Sequence, residues 1–291
     1  GQGVLCSFSD ITAQQQSLSY GFDVYQTLFD FGKSLSLFHS AQELVKANKA
    51  HEEGIKRLTV LEFIIAYFNL LESEKMILVA EKEVESLVSY LQDVEHLFEV
   101  GSAVRNDLLP AQVNLADAKQ KLIVARNNRV VAATRLNNIL TLPLHERIEV
   151  EDIAMKLPAV PSVEEAWQNA ITQRPEIAFV TGEIAASSLA ERAKAVENFP
   201  VLFADAGYSY DENKYTVHQN NPYVNVGAKA LFYDGGAAKA GLLKERYNRQ
   251  QLLEKREKLY EDIKLEIEDS HVSFMDAVEK VTVASDAVAQ A

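Results

Sequence analysis

The chain has 291 residues, 29 basic against 42 acidic, for a formal net charge of −13. A surface this acidic is a poor match for nucleic acid, whose phosphates need a basic footprint. The single cysteine, Cys6, excludes an internal disulfide and a cysteine-based metal cluster. Six scattered histidines form no H-x-x-x-H pair, and no phosphate loop, nucleophile elbow or dinucleotide fingerprint occurs. The reading is therefore not an enzyme, with no cofactor and no metal.

Strands come first in chain order. Residues 4–8 suit a short strand, and Cys6 reads as a strand residue rather than a lipid-anchor site, because Gly3-Val4-Leu5 before it is a poor lipidation signal. From Ser17 to Val24 apolar residues alternate strictly: Leu18, Tyr20, Phe22 and Val24 share one face, while Ser17, Ser19, Gly21 and Asp23 share the other.

A helical pattern follows. Phe63, Leu70, Ile77, Val84, Leu91 and Phe98 recur every seventh residue, with Ala66, Ser73, Ala80, Leu87 and Val94 three further on. This is the a/d seam of a coiled coil. It resumes as Leu108, Leu115, Leu122 and Leu136, with Arg129 as the odd member, beside Ala111, Ala118, Ala125, Ala132 and Ile139. Val100-Gly101-Ser102 breaks the pattern, so residues from about 41 to 140 read as an antiparallel hairpin. Asn106 or Asp107 is expected to cap the returning helix, with Pro110 in its first turn. Its longest apolar run, 60–71, is too short for a membrane-spanning helix, which needs roughly 20 apolar residues.

Pro143, Pro158, Pro161 and Pro175 punctuate the next segment. Ser162 to Glu165 forms a capping box opening a short helix with Trp167, and Arg174-Pro175-Glu176 opens another that ends before Pro200. Two further strands follow. In 201–210, Leu202, Ala204, Ala206, Tyr208 and Tyr210 oppose Asp205, Gly207 and Ser209; in 223–232, Val224, Val226, Ala228, Ala230 and Phe232 oppose Asn225, Gly227 and Lys229. The mid-strand charges Asp23, Asp205 and Lys229 all fall on the polar parity.

The halves of the chain echo each other. Leu28-Phe29-Asp30-Phe31-Gly32 resembles Leu231-Phe232-Tyr233-Asp234-Gly235, each ending a strand and opening a long helix. The strand-to-helix junctions thus fall at Gly32 and at Gly235 and Gly236. A second seam runs Leu253, Tyr260, Ile267, Phe274, Val281 and Val288, beside Ile263, Ser270, Ala277, Ala284 and Ala291. The unit reads as two strands and a long hairpin, duplicated, with the second hairpin cut off before its tip. No signal-peptide pattern opens the chain and no helix stop closes it, so it reads as a fragment.

In their order these motifs resemble the TolC-like family of outer-membrane efflux proteins, the outer membrane factors. The strand ending in Phe-x-x-Gly, the tip Val100-Gly101-Ser102 followed by Asn106-Asp107-Leu108 and Ala111-Gln112, the run Ala125-Arg126-Asn127-Asn128, the turn at Leu136-Asn137, and Arg174-Pro175-Glu176-Ile177 before Phe199-Pro200 carry the likeness. The resemblance implies an α+β membrane protein: a trimeric β-barrel with four strands per protomer, continuous with a long α-helical coiled-coil barrel. Residues 1–32 and 200–234 would be barrel strands and 33–142 the first hairpin. Residues 143–175 would be an equatorial segment, 176–199 a tunnel helix, and 235–291 the start of the second hairpin. The implied function is a passive exit channel in the Gram-negative outer membrane, with a periplasmic extension, serving a tripartite efflux or type I secretion system. Its partners would be a homotrimer, a periplasmic adaptor, indirectly an inner-membrane pump, and the lipid bilayer, but not nucleic acid. Val100, Gly101 and Ser102 would dock the adaptor, Asp107 would either start its helix or tie neighbouring hairpins at a gate, and Asp23, Asp205 and Lys229 would face the lumen. The alternative is a periplasmic helical-hairpin adaptor without a channel of its own.

Oligomerisation has its own physical argument. Four short strands cannot close a barrel, and an open sheet edge in lipid leaves backbone groups unpaired.

Overall fold

The computed structural model describes residues 3–8, 18–153, 160–212 and 217–290, with side chains described from residue 19 onward. Ser17, Pro158 and Ala291 lie outside the described residues, as do the side chains of Cys6 and Leu18. The chain divides into two compact units, 1–52 with 161–291, and 53–160.

The first unit holds one antiparallel sheet in the order β1-β2-β3-β4, formed by Gly3–Phe8, Leu18–Phe29, Val201–Glu212 and Asn220–Lys229. Strand β2 outruns its expected end at Val24, and a bulge lies between Thr27 and Phe29. Strand β4 departs from the sequence reading. It ends at Lys229, so Ala230, Leu231 and Phe232 are not in the ladder. Lys229 pairs with Val201, the first residue of β3 after Pro200, so the partner strand has run out.

Both sheet-to-helix junctions are built alike. At the first, Phe31 and Gly32 have φ of 56° and 81°; at the second, Gly235 and Gly236 have φ of 68° and 88°. Two successive left-handed residues reverse the chain, which glycine permits at little cost. Asp30 then accepts from the Ser34 N–H (2.8 Å) and hydroxyl, and Asp234 from the N–H groups of Gly236 (2.9 Å) and Ala238 (2.6 Å). The backbone bonds repeat as well, Ser36 N–H to Gly32 O at 2.9 Å and Ala240 N–H to Gly236 O at 3.0 Å. The structural repeat therefore matches Asp30 with Asp234 and Gly32 with Gly236, one residue out of the register read from Gly32 and Gly235.

Helix α1 (Lys33–Glu99) begins here, earlier than the heptads suggest. Its opening turns lie in the first unit and pack through small residues on α4 (Pro175–Ala195). The Ser40 hydroxyl donates to Ala186 O at 2.8 Å, and a Cβ on Gly182 would sit 2.8 Å from the Cβ of Ala47. On its other side α4 meets α5 (Ala237–Gln290) through ion pairs: Glu191 with Arg246 (3.0 Å) and Arg249 (2.9 Å), and Glu183 with Lys255 (3.1 Å). Helix α3 (Val163–Gln173) carries the expected capping box, Ser162 Oγ accepting from the Glu165 N–H at 3.3 Å and Glu165 accepting from the Ser162 N–H at 3.0 Å. Its Trp167 and Ala170 join Ile177, Tyr260 and Ile263 in a small core. The α5 seam is covered at Leu253, Tyr260, Ile263, Ile267 and Phe274 but exposed at Val281 and Val288.

In the second unit the remainder of α1 packs antiparallel on α2 (Arg105–Ile139), as the ladder Glu74–Arg129, Glu81–Arg126 and Glu83–Lys121 records. Every seam position from Phe63 to Val94 and from Leu108 to Ile139 is buried or half-buried, with Leu70 and Leu136 its largest fully buried side chains. Arg129 fits the seam because its guanidinium leaves it, binding Glu74 Oε1 (2.9 and 3.1 Å) and Ile148 O (3.4 Å). Residues after Pro143 lie as a strap along this side of the hairpin. The Asn137 amide donates to the carbonyls of Leu144 (3.3 Å) and Glu146 (2.8 Å), and the Tyr67 hydroxyl to that of Glu151 (2.6 Å).

Candidate functional site

Strand pairing settles which residues share a face. Tyr20, Phe22 and Val24 of β2 stand opposite Tyr210, Tyr208 and Ala206 of β3, and Ala204, Ala206 and Tyr208 stand opposite Val226, Val224 and Pro222 of β4. This face is apolar and uncovered: Phe22 is 53% exposed, Val224 77% and Val226 74%. A contiguous apolar surface of this kind marks something that covers it. At one end of it tyrosines stack, Tyr20 on Tyr210 at 4.8 Å, and the Tyr210 hydroxyl reaches Glu212 (3.2 Å) and Gln219 (3.1 Å). At the opposite strand ends the rings are phenylalanines, Phe31 lying 4.8 Å from Phe29 and 5.1 Å from Phe199.

The other face holds Asp23, Asp205 and Lys229, as their parity requires. Asp205 accepts from Asn225 at 3.1 Å. Asp23 and Asp205 are diagonal neighbours, since Asp23 stands opposite Gly207 and Asp205 opposite Tyr25; Lys229 stands apart, at the last rung. Aromatic rings also lie on this polar face, which reading the charges alone missed. Tyr25 stacks on Phe203 at 5.4 Å, the Phe203 ring covers Gly227, and the Tyr223 ring covers Gly207, where a Cβ would come within 2.6 Å of it. The signal was present, because Tyr25, Phe203 and Tyr223 share the parity of the aspartates.

At the tip, Gly101 has φ 74° with nothing within 4 Å of where a Cβ would be. The Ser102 and Ala103 N–H groups both bond Leu97 O, at 2.8 and 3.0 Å, and Val100 is 68% exposed. The cap expectation needs correction. Helix α2 starts at Arg105 after Val104, and Asp107 is its third residue rather than the residue before it. The Asp107 carboxylate accepts from the Val104 N–H at 3.1 Å, so it is engaged in its own helix start. The earlier start also moves Pro110 from the first turn into the helix, where it leaves one carbonyl without its usual donor.

No group of three or more potential metal ligands occurs among the described residues, and no helix there is long and apolar enough to cross a membrane. Residues 7–141 match the family model described as outer membrane efflux protein. Among solved structures, CusC, described as forming a transmembrane channel, superposes with a TM-score of 0.77 at 16% identity, covering 97% of this chain and 68% of its own. The outer-membrane channel OprN gives 0.77 at 18%, covering 95% and 64%. The outer membrane protein VceC of Vibrio cholerae gives 0.77 at 13%, covering 94% and 69%. Among curated proteins none matches by sequence. Residues 7–141 are thus similar to outer membrane efflux proteins, and the chain shares the fold of these solved channels. It spans about two thirds of the length of these channels.

Proposed function

We propose that this chain is one protomer of a trimeric exit duct in the outer membrane, a passive conduit rather than a catalyst. The observation that carries the reading is the two-faced sheet wired through two equivalent turns into long helices with a coiled-coil seam. Strands β2, β3 and β4 have 12, 12 and 10 residues, the length a tilted membrane strand requires, about 9–11 residues. The face with Phe22, Val224 and Val226 meets lipid; the face with Asp23, Asp205 and Lys229 meets the water-filled lumen. Tyrosines at one end and phenylalanines at the other suit the aromatic girdles of such barrels. The free edges of β1 and β4 pair with neighbouring protomers, because lipid tolerates no unpaired backbone.

The division into barrel strands (1–32, 200–234), first hairpin (33–142), equatorial segment (143–175), tunnel helix (176–199) and second-hairpin helix (235–291) belongs to the same proposal. Gly32, Gly235 and Gly236 act as the bends between sheet and helix. Val100, Gly101 and Ser102 receive a periplasmic adaptor, which links the duct to an inner-membrane pump of an efflux or type I secretion system. Asp107 serves its helix start, since its carboxylate is already bonded to the Val104 N–H. The test is membrane fractionation, cross-linking and bilayer conductance of the full-length protein. A cross-linked trimer in the outer membrane with discrete conductance is expected. A species that stays monomeric and water-soluble overturns the reading in favour of a hairpin adaptor.

A further inference from the structure

Asp205 occupies the middle of the polar sheet face. Asp205 is half-buried, and among the described residues one of its carboxylate oxygens is bonded, to Asn225 Nδ2. Around it stand three rings. Tyr25 is directly opposite on β2, Phe203 is two residues back on the same strand, and Tyr223 is diagonal on β4. Directly opposed residues lie about 5 Å apart and diagonal ones about 7–8 Å, so all three rings and the second carboxylate, Asp23, border the same small area.

The rings do not stand up from the sheet. Phe203 lies over Gly227 and Tyr223 over Gly207, each within 3 Å of where a Cβ would be. A glycine beneath a ring lets that ring lie flat, and a flat ring turns its π face outward. Tyr25 lies nearly parallel to Phe203, at 22°. Tyr25 stands directly opposite Gly3 and stacks on Phe203.

A ring face carries partial negative charge and attracts a weakly hydrated cation, and a nearby carboxylate adds a full charge. Small hydrated ions such as sodium gain little from such a surface, whereas quaternary ammonium groups fit it. We propose that Asp205, Asp23, Tyr25, Phe203 and Tyr223 form a binding station for organic ammonium cations on the wall of the duct. The inference rests on the duct reading only for its placement in a lumen; the cluster itself belongs to one sheet.

The experiment uses the full-length protein in non-ionic detergent, with tetramethylammonium as the probe and equilibrium binding followed by NMR. Saturable binding is expected for tetramethylammonium and not for neutral tert-butanol of the same shape. Phe203→Leu and Asp205→Asn should each weaken it between about threefold and 30-fold, while Val226→Ala on the opposite face leaves it unchanged. If Phe203→Leu fails to fold, Tyr25→Leu gives the same reading. Absence of saturable binding, equal binding of tert-butanol, or wild-type affinity in the folded ring variants overturns the proposal. Bilayer conductance measured on the same preparation separates the two ideas. A protein that conducts without binding loses only this station; one that binds without conducting loses only the duct.

Discussion

Truncating Leu70 tests the hairpin most directly. Leu70 is fully buried, packed with Ala66 and Leu136 and bordered by Phe63, Ala132, Ile148 and Val150. Leu→Ala in such a site costs about 2–5 kcal/mol, with the higher costs where the surroundings cannot collapse. Here two long helices and the strap hold the walls apart, and alanines already supply the small layers, so about 3 kcal/mol is expected. Leu78, about two turns along the same helix, points away from the seam and is 58% exposed. Its truncation should stay within about 0.5 kcal/mol. Hydrogen exchange read peptide by peptide is the suitable assay, because it reports opening of this unit rather than of the whole chain. At 1.4 kcal/mol per factor of ten, Leu70→Ala should speed exchange across the middle of α1 and the C-terminal turns of α2 by roughly 150-fold, and Leu78→Ala by no more than about threefold. Equal effects from the two variants would refute the seam assignment, since one of these leucines is in the seam and the other is not.

Gly235 has φ 68° in open space, so only the backbone penalises a side chain there. Gly235→Asn should be milder than Gly235→Val, because asparagine tolerates the left-handed region and a β-branched residue does not; thermal melts check the order. Hydrogen bonds hold the Asp30 and Asp234 carboxyls below the usual range, from Ser34 at the first turn and from the Ala238 N–H at the second. A depressed folded value means the stabilisation is present above the ordinary carboxylate range, about pH 3.9, and is lost as pH falls through the lowered value. Amide protection at the starts of α1 and α5 should therefore be flat from neutral pH down to that range and drop only below it, and Asp30→Asn with Asp234→Asn should remove the step. At the tip, Gly101→Trp should impair export while the trimer assembles. Normal assembly with full export and wild-type adaptor affinity would rule out the docking role, whereas failure to assemble would favour a structural turn role and say nothing about docking.

Much of this fold was legible because period and parity are local. The seam from Phe63 to Val94 needed only the spacing of apolar residues, and Ser162 with Glu165 needed only the capping pattern. What depended on a partner strand or on a single hydrogen bond was not legible. The β4 alternation runs on to Phe232, but pairing stops at Lys229 because β3 begins at Val201. Asp107 looked like a cap by residue type, yet its carboxylate reaches back to Val104 from inside the helix. The repeat was visible in sequence, and the pairing of Leu61-Glu62 with Leu265-Glu266 already had its register; only the junction motif was read one residue out, as the matching bonds of Asp30 and Asp234 show. For the proposed site, parity placed the aspartates on one face, but the glycines that let Tyr223 and Phe203 lie flat become meaningful only across strands.

The strap has an unequal relation to the hairpin it covers. Tyr67, Arg129 and Asn137 hold it by its carbonyl groups at Leu144, Glu146, Ile148 and Glu151. A carbonyl is the same whatever residue carries it. Substitutions along the strap can therefore accumulate without loosening these attachments, while changes at the three donors cannot. The polar part of the attachment is thus written in the hairpin, while Ile148 and Val150 add apolar packing against its core, so a relative that keeps the three donors and two apolar residues there would lay the strap along the same path.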